Sequence, residues 1–142
     1  MENSSPFKPV WFILAVVMAL VGFAVVRSKL GPKEAIAWTT DPATGFERAT
    51  QEKKPVLLYF TASWCPPCQK MKSTTFANPD VAQALSDCVT VKVDVDEHPQ
   101  TAQEHRVKSI PHMKLLSSDG KVIKQTGGYM APEQFILWLK GA

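Results

Sequence analysis

The chain has 142 residues, 45% of them hydrophobic, and carries a formal net charge of +3 at pH 7. This length suits a single domain. Three basic residues, Lys8, Arg27 and Lys29, flank one apolar run, so the remainder of the chain is close to neutral and has no basic stripe. The charge distribution therefore argues against a nucleic-acid-binding surface.

An uncharged apolar run from Val10 to Val26 is the first feature in chain order. As a helix it would be about 26 Å long, close to the hydrocarbon thickness of a bilayer. We therefore predict a transmembrane anchor over residues 10–27, after an N-terminal flank at 1–9. A cleaved signal peptide is an alternative, but the run lacks a strongly basic start and a small-residue cleavage site soon after it. A buried core helix is the other alternative, but polar positions are absent for too long.

The elements predicted after a tether at 28–42 alternate between helix and strand and then end in a hairpin and a helix. Short β-branched or apolar runs predict strands, and apolar residues at helical spacing predict helices. Such an alternation is typical of an α/β fold with a parallel strand pair. In order, we predict a helix at 45–54, a strand at 56–60, a helix from Cys65 to about Ser73, a helix at 81–85 capped by Asp80, a strand at 89–95, a helix at 99–105, strands at 112–116 and 121–125 around Asp119-Gly120, and a helix at 132–140.

Two cysteines, Cys65 and Cys68, lie at the predicted junction between strand 56–60 and the helix that follows. Prolines suit the first turn of a helix, which places Cys65 at the helix start and Cys68 one turn further on. A helix N-terminus carries partial positive charge and stabilises a thiolate. Two thiols one turn apart can also close a small disulfide ring. The stretch therefore predicts a dithiol redox centre.

Half of a zinc site is the alternative interpretation of the same pair, because Cys-x-x-Cys is also metal-ligand spacing. A structural zinc site needs two more ligands, usually as a second close pair. Prolines at both intervening positions also remove backbone donors that a zinc-binding turn uses. The remaining candidates, none of which form such a pair, are Cys88, His98, His105 and His112.

From about Ala43 to its end the chain resembles the thioredoxin superfamily. The stretches 75–85 and 127–139 are most similar to the C-terminal thioredoxin module of the bacterial transmembrane thiol–disulfide interchange proteins. The resemblance implies a thioredoxin-like α/β fold over residues 43–142, with a central mixed sheet flanked by helices. Its landmarks are the stretch Trp64-Cys65-Pro66-Pro67-Cys68, the pair Ile110-Pro111, the Asp119-Gly120 turn and Gly128.

The resemblance also implies roles for individual residues. Cys65 would be the exposed nucleophile that forms a mixed disulfide with a partner, and Cys68 the buried thiol that resolves it. Pro111 matches the cis-proline of the family, and Ile110 before it would offer backbone hydrogen bonds to an extended substrate segment. Trp64 would shield the site and contact the partner.

The sequence departs from the family at two places. Many thioredoxins carry a buried aspartate six residues before the first cysteine, where this chain has Tyr59, whereas Lys92 matches the lysine that often accompanies that aspartate. The proton acceptor for Cys68 is thus left open between Glu47, a water molecule and the partner. The pair Pro66-Pro67 replaces the Gly-Pro of cytosolic thioredoxins and removes an N–H near Cys65, which argues against a strongly oxidising centre.

These features predict a membrane-tethered thiol–disulfide oxidoreductase that reduces disulfides of exported partner proteins. Its redox group would be the Cys65–Cys68 disulfide, with no other cofactor, and its electrons would come from a transmembrane donor. One alternative is a copper- or zinc-binding chaperone that uses Cys65, Cys68 and His112. Another is a non-catalytic assembly module on the membrane.

The predicted location is the inner (cytoplasmic) membrane, with a single span and the domain in the periplasm. Dithiol chemistry tied to a membrane fits the oxidising side. The basic residues point the other way, since Lys8 precedes the run while Arg27, Lys29 and Lys33 follow it. We favour the periplasmic side because this charge difference is small.

Overall fold

The computed structural model describes residues 8–29 and 35–141, and the chain divides into two compact units, Met1–Lys33 and Glu34–Ala142. The first unit contains helix α1 (Lys8–Lys29). Within the described part of the chain, no helix is long and apolar enough to cross a membrane. Part of the predicted anchor at 10–27, namely the side chains at 10, 12 and 23–27, lies outside the described residues, and the anchor stays a prediction.

The second unit is an α/β domain built on a four-stranded mixed sheet with strand order β2-β1-β3-β4. Strands β1 and β2 are parallel, while β3 pairs antiparallel with both β1 and β4. The predicted mixed sheet flanked by helices is confirmed. Its elements are α2 (Pro42–Glu52), β1 (Val56–Thr61), α3 (Pro66–Ser73), α4 (Pro79–Ala84), β2 (Val89–Asp94), α5 (Pro99–Glu104), β3 (His112–Leu116), β4 (Val122–Gly127) and α6 (Pro132–Lys140).

Different helices cover the two faces of the sheet, because successive side chains of a strand point to opposite sides. Leu57 and Tyr59 of β1 lie in a core cluster with residues of α3, α4 and α6, among them Met71 and Phe135. Val56, Leu58 and Phe60 of β1 lie in a second cluster with residues of α2 and α5. Helix α3, which follows Cys65, thus packs on the face of the sheet to which the side chain of Tyr59 points.

The helices α2 to α6 begin at prolines, and in α2, α3 and α4 the side chain of the residue before the proline caps the helix. The side chain of Asp41 accepts a hydrogen bond from the N–H of Thr44, so α2 starts at Pro42, earlier than predicted. Before α4, Asn78 accepts hydrogen bonds from two backbone N–H groups. The prediction that Asp80 caps this helix is wrong, because the proline after Asn78 takes the first helical position and leaves Asp80 inside the first turn.

Part of the predicted tether at 28–42 belongs to the folded domain. Ile36 is buried in the core. The ring of Trp38 lies 5.0 Å from that of Phe76, and Thr39 forms a parallel β-bridge with Val91. These contacts join residues distant in sequence, which is why the local composition of this segment predicts only a linker.

Candidate active site

The two cysteines lie where β1 ends and α3 begins, as predicted, and they form a disulfide. Their sulfurs are 2.08 Å apart and their Cα atoms 5.3 Å apart. Strand β1 is fully buried up to Phe60, and α3 starts at Pro66. The rigid strand and the helix therefore fix both ends of the short loop that carries Cys65.

Cys65 is the N-cap of α3, and its Sγ accepts a hydrogen bond of 3.3 Å from the backbone N–H of Cys68. The first two helical positions are Pro66 and Pro67, which have no N–H. The N–H of Cys68 is therefore the first backbone donor of the helix, and it is directed at the sulfur of Cys65. Because the helix N-terminus also carries partial positive charge, this arrangement favours Cys65 as a thiolate.

Both cysteines are buried, which corrects the prediction of an exposed Cys65. Its residue surface is 3% exposed, against 1% for Cys68. In the disulfide form they pack with Ala62, and Val95 and Ile110 lie against this cluster. The two cysteines are therefore similar in solvent exposure and differ in their position on the helix. Cys65 caps α3, while Cys68 lies within its first turn.

Trp64, which directly precedes Cys65, is 65% exposed, and its contact with a partner stays a prediction. Its indole Nε1 donates a hydrogen bond of 2.7 Å to Oδ2 of Asp96. Asp96 lies in the loop after β2 and was not identified from the sequence. A usable signal was present, because the carboxyl ends of the parallel strands β1 and β2 lie at the same edge of the sheet.

The peptide bond between Ile110 and Pro111 is cis. Ile110 packs against the cysteine cluster, and the carbonyl oxygen of Pro111 accepts a hydrogen bond of 2.8 Å from the N–H of Gly128. The pair therefore lies beside the disulfide at the start of β3. Its contact with an extended substrate segment stays a prediction.

Tyr59 fills the position where many thioredoxins have an aspartate. It is 2% exposed, and its hydroxyl donates a hydrogen bond of 3.3 Å to the carbonyl oxygen of Cys68. Its ring packs against those of Trp38 and Phe76, at centroid distances of 5.7 and 4.7 Å. Lys92 is its register partner on β2. Tyr59 thus ties β1 to the redox helix through packing and one hydrogen bond.

Glu47, one of the predicted proton acceptors for Cys68, is not brought to the dithiol. It is exposed on α2 and accepts a hydrogen bond from Gln51. Its neighbours Phe46 and Ala49 belong to the core cluster on the face of the sheet opposite α3. Some other group must therefore take the proton from Cys68.

A cavity of about 190 Å³ adjoins Cys68 on the α3 side of the sheet. Three charged residues, Lys72, Lys92 and Asp94, are among the residues that line it, together with Tyr59. The sequence analysis singled out Lys92 and missed the other two. Lys72 lies on α3 itself, whereas Asp94 reaches this side of the sheet through the parallel pairing of β1 with β2.

The described residues contain no group of three or more histidine, cysteine, aspartate or glutamate side chains that could hold a metal ion. His112, the third ligand in the metal-binding alternative, lies on β3, and its buried Nε2 has no hydrogen-bond partner. Burial lowers the pKa of His112. Cys88 is a free, half-buried cysteine whose thiol pKa is raised, first by burial and then by the charge of Asp87. Neither residue joins the disulfide in a ligand set.

Comparison with known proteins agrees with this geometry. Residues 43–142 match the family model described as a thioredoxin-like domain. The chain is 41% identical over 90 residues to a thioredoxin from Alicyclobacillus acidocaldarius subsp. acidocaldarius, a match that covers 63% of this chain and 82% of the relative.

Two solved structures show the same architecture. The C-terminal domain of DsbD from Neisseria meningitidis, in its oxidised form, has 27% identity and a TM-score of 0.63, covering 74% of this chain and 98% of that one. A thioredoxin from Thermus thermophilus has 23% identity and a TM-score of 0.68, covering 75% and 86% of the two chains. The second likeness concerns the fold alone.

Proposed function

Since the chain belongs to the thioredoxin-like domain family and is a thiol–disulfide oxidoreductase whose redox group is a disulfide without a cofactor, we propose that it acts as a reductase of exported proteins. In this role the reduced Cys65–Cys68 pair donates two electrons to a disulfide of a partner protein. The observation that carries the proposal is the hydrogen bond from the N–H of Cys68 to Sγ of Cys65 at the start of α3.

The proposed reaction has two steps. The Cys65 thiolate attacks one sulfur of the partner disulfide, so that a mixed disulfide forms and the other partner sulfur leaves as a thiolate. Cys68 then loses its proton and attacks Sγ of Cys65. The Cys65–Cys68 disulfide forms, the second partner sulfur leaves, and the partner departs with both of its cysteines reduced. The oxidised domain of the structure is the product state of this reaction.

The reducing direction is supported by the chemistry of the helix start. A strongly oxidising dithiol needs a reduced form that is stabilised through its thiolate. Pro66 and Pro67 leave the first two helical positions without N–H groups, so the sulfur of Cys65 faces fewer backbone donors than a helix N-terminus normally offers.

We also propose that residues 10–27 tether the domain to the inner (cytoplasmic) membrane, with the domain in the periplasm and a transmembrane electron donor beside it. The support is the uncharged run from Val10 to Val26 and the exposure of apolar side chains on α1, such as Trp11 and Met18. Protease added to spheroplasts should digest the domain while it leaves a cytoplasmic marker intact. Protection of the domain until the cells are lysed would contradict the periplasmic side.

The test of the reductase role combines an activity and a redox state. Purified full-length protein, kept reduced, should reduce the disulfides of insulin, and Cys65→Ser should abolish this activity because no nucleophilic thiolate is left at the helix start. Alkylation of the thiols in intact cells should find the Cys65–Cys68 pair mostly reduced. A mostly oxidised pair would contradict the reducing direction, and full activity of Cys65→Ser would contradict the mechanism.

A further inference from the structure

The second step of the proposed reaction needs a base, because the Cys68 thiol must lose a proton before it attacks. An ordinary cysteine thiol has a pKa of about 8.5, and burial in apolar surroundings raises it further. Cys68 is 1% exposed. Tyr59 stands where many thioredoxins have an aspartate, and its hydroxyl donates a hydrogen bond to the Cys68 carbonyl oxygen. A proton acceptor near Cys68 is therefore still to be identified.

The cavity of about 190 Å³ beside Cys68 has the properties of a proton-transfer site. It adjoins this buried residue, and Lys72, Lys92 and Asp94 are among the residues that line it. A space of this size with charged walls is large and polar enough to hold several water molecules, each with the polar partners that it needs. Water in this cavity can connect Cys68 to a carboxylate.

Asp94 is the acidic residue that the fold brings to this cavity. It is the last residue of β2, aligned with Thr61 on the parallel strand β1, just as Lys92 is aligned with Tyr59. Its neighbour Val93 belongs to the core cluster on the opposite face of the sheet. Because side chains alternate along a strand, Asp94 faces the side that α3 covers.

The Asp94 carboxyl group is also held in place. It is half-buried, and its Oδ1 accepts a hydrogen bond of 2.9 Å from the backbone N–H of Asp96. The Asp96 side chain in turn binds the indole of Trp64. A carboxylate fixed in this way at the cavity wall needs little reorganisation to accept a proton.

We propose that Asp94 accepts the proton of Cys68, through water in the cavity, when the mixed disulfide is resolved. The inference rests on the proposed reductase function. The proton passes from the Cys68 thiol to the Asp94 carboxylate, Sγ of Cys68 bonds to Sγ of Cys65, and the bond from Cys65 to the partner sulfur breaks. The partner thiolate leaves with the electron pair of that bond, and Asp94 returns its proton to it or to water. The acid of this chain thus lies on β2 instead of β1.

The charged groups around Asp94 assist the same transfer. Lys72 approaches the cavity from α3, Lys92 from β2 itself, and both positive charges favour the thiolate of Cys68 over its thiol. Asp96 is the other nearby acid, but its side chain is engaged with Trp64 at the protein surface. Asp94 is therefore the carboxylate placed for Cys68.

The experiment separates the two steps of the reaction. Reduced full-length protein is mixed with half an equivalent of 5,5′-dithiobis(2-nitrobenzoate), and release of the coloured thiolate is followed in stopped flow. The first phase reports attack by Cys65 and the second reports attack by Cys68. We expect Asp94→Asn to slow the second phase at pH 7 by about tenfold or more while the first phase stays within about twofold of wild type. The two rates should converge at alkaline pH, where hydroxide can take the proton of the thiol without help from a carboxylate.

Two further variants control for structural effects. Asp94→Asn keeps the oxygen that accepts the N–H of Asp96, and Asp94→Glu, which keeps the acid, should restore most of the second-phase rate. Asp87→Asn makes the same charge change at an exposed residue before β2 and should leave both phases unchanged. A wild-type second phase in Asp94→Asn, or equal slowing of both phases, would overturn the role of Asp94. Absence of the first phase in wild type would instead overturn the reductase function.

Discussion

The hydroxyl of Tyr59 donates a hydrogen bond of 3.3 Å to the carbonyl oxygen of Cys68, so a tyrosine links β1 to the helix that carries the dithiol. Tyr59→Phe removes this bond and leaves the aromatic packing in place. We expect the variant to lose about 1 kcal/mol of unfolding free energy, the typical net value of one such bond. Urea unfolding of both proteins measures this loss.

Tyr59→Phe also tests the assignment of the proton acceptor. If Asp94 takes the proton of Cys68, removal of the Tyr59 hydroxyl should leave disulfide reduction within about twofold of wild type. A large loss of activity with unchanged stability would show that Tyr59 itself takes part in proton transfer.

The contact between Trp64 and Asp96 predicts a role in partner binding. Trp64→Ala removes an exposed aromatic surface beside the disulfide and should raise the KM for a protein disulfide by about tenfold, since aromatic residues dominate such contacts. The rate with a small aromatic disulfide should change little because that substrate is too small to need the indole. Asp96→Ala, which frees the indole from its hydrogen bond, should have a smaller effect in the same direction. Equal losses with both substrates would place Trp64 in the chemistry instead of the docking.

The aromatic residues beneath α3 are predicted to stabilise the domain. Phe76 is fully buried and contacts the rings of Trp38, Tyr59 and Phe135 at 4.7 to 5.6 Å between centroids. Phe76→Ala should therefore cost about 3–5 kcal/mol of unfolding free energy. Leu137→Ala, at a position that is 71% exposed on α6, should cost no more than about 0.5 kcal/mol. Similar costs for the two variants in urea unfolding would contradict this assignment of the core.

Burial gives His112 a pH-dependent effect on stability. Burial first, and then the charge of Lys114, lowers its pKa below the ordinary value of 6.5. At pH values between the lowered pKa in the folded domain and the ordinary pKa in the unfolded chain, the unfolded chain binds a proton that the folded domain does not. The free energy of unfolding therefore falls as the pH drops below 6.5. His105 has a lowered pKa for the same first reason and adds to the effect.

The corresponding measurement compares unfolding free energies at about pH 7.5 and 5.5, a window that lies above the ordinary pKa values of carboxyl groups. Wild type should be less stable at the lower pH, and His112→Gln should show a smaller difference between the two. The quantity compared between the two proteins is the change in unfolding free energy from one pH to the other, and not the absolute stability. An unchanged difference in the variant would mean that His112 does not titrate in this window.

Local signals were enough to predict the elements and the dithiol. The strand before Cys65, the prolines after it and the Asp-Gly hairpin each involve residues close together in the sequence, and the structure has these features where they were expected. The spacing of Cys65 and Cys68 also determines that they lie one helical turn apart. Such information does not depend on the rest of the fold.

Features that depend on tertiary packing were missed or wrong. Nothing local indicates that Ile36 and Trp38 pack into the core, because the core residues they join, such as Tyr59 and Phe76, are distant in sequence. The burial of Cys65 follows from contacts with Val95 and Ile110, which only the folded sheet provides. Asp94 reaches the cavity through the register of β1 with β2, which a sequence pattern suggests but does not specify.

The most direct test of the central claim, that Cys65 attacks and Cys68 resolves, is to trap the mixed disulfide. Cys68→Ser in the full-length protein should accumulate adducts with partner proteins in cells, seen on non-reducing gels after alkylation and lost on addition of dithiothreitol. The double variant Cys65→Ser/Cys68→Ser should form none. Adducts that form equally well in Cys65→Ser with Cys68 intact, or no adducts in Cys68→Ser, would contradict the assignment of the two cysteines.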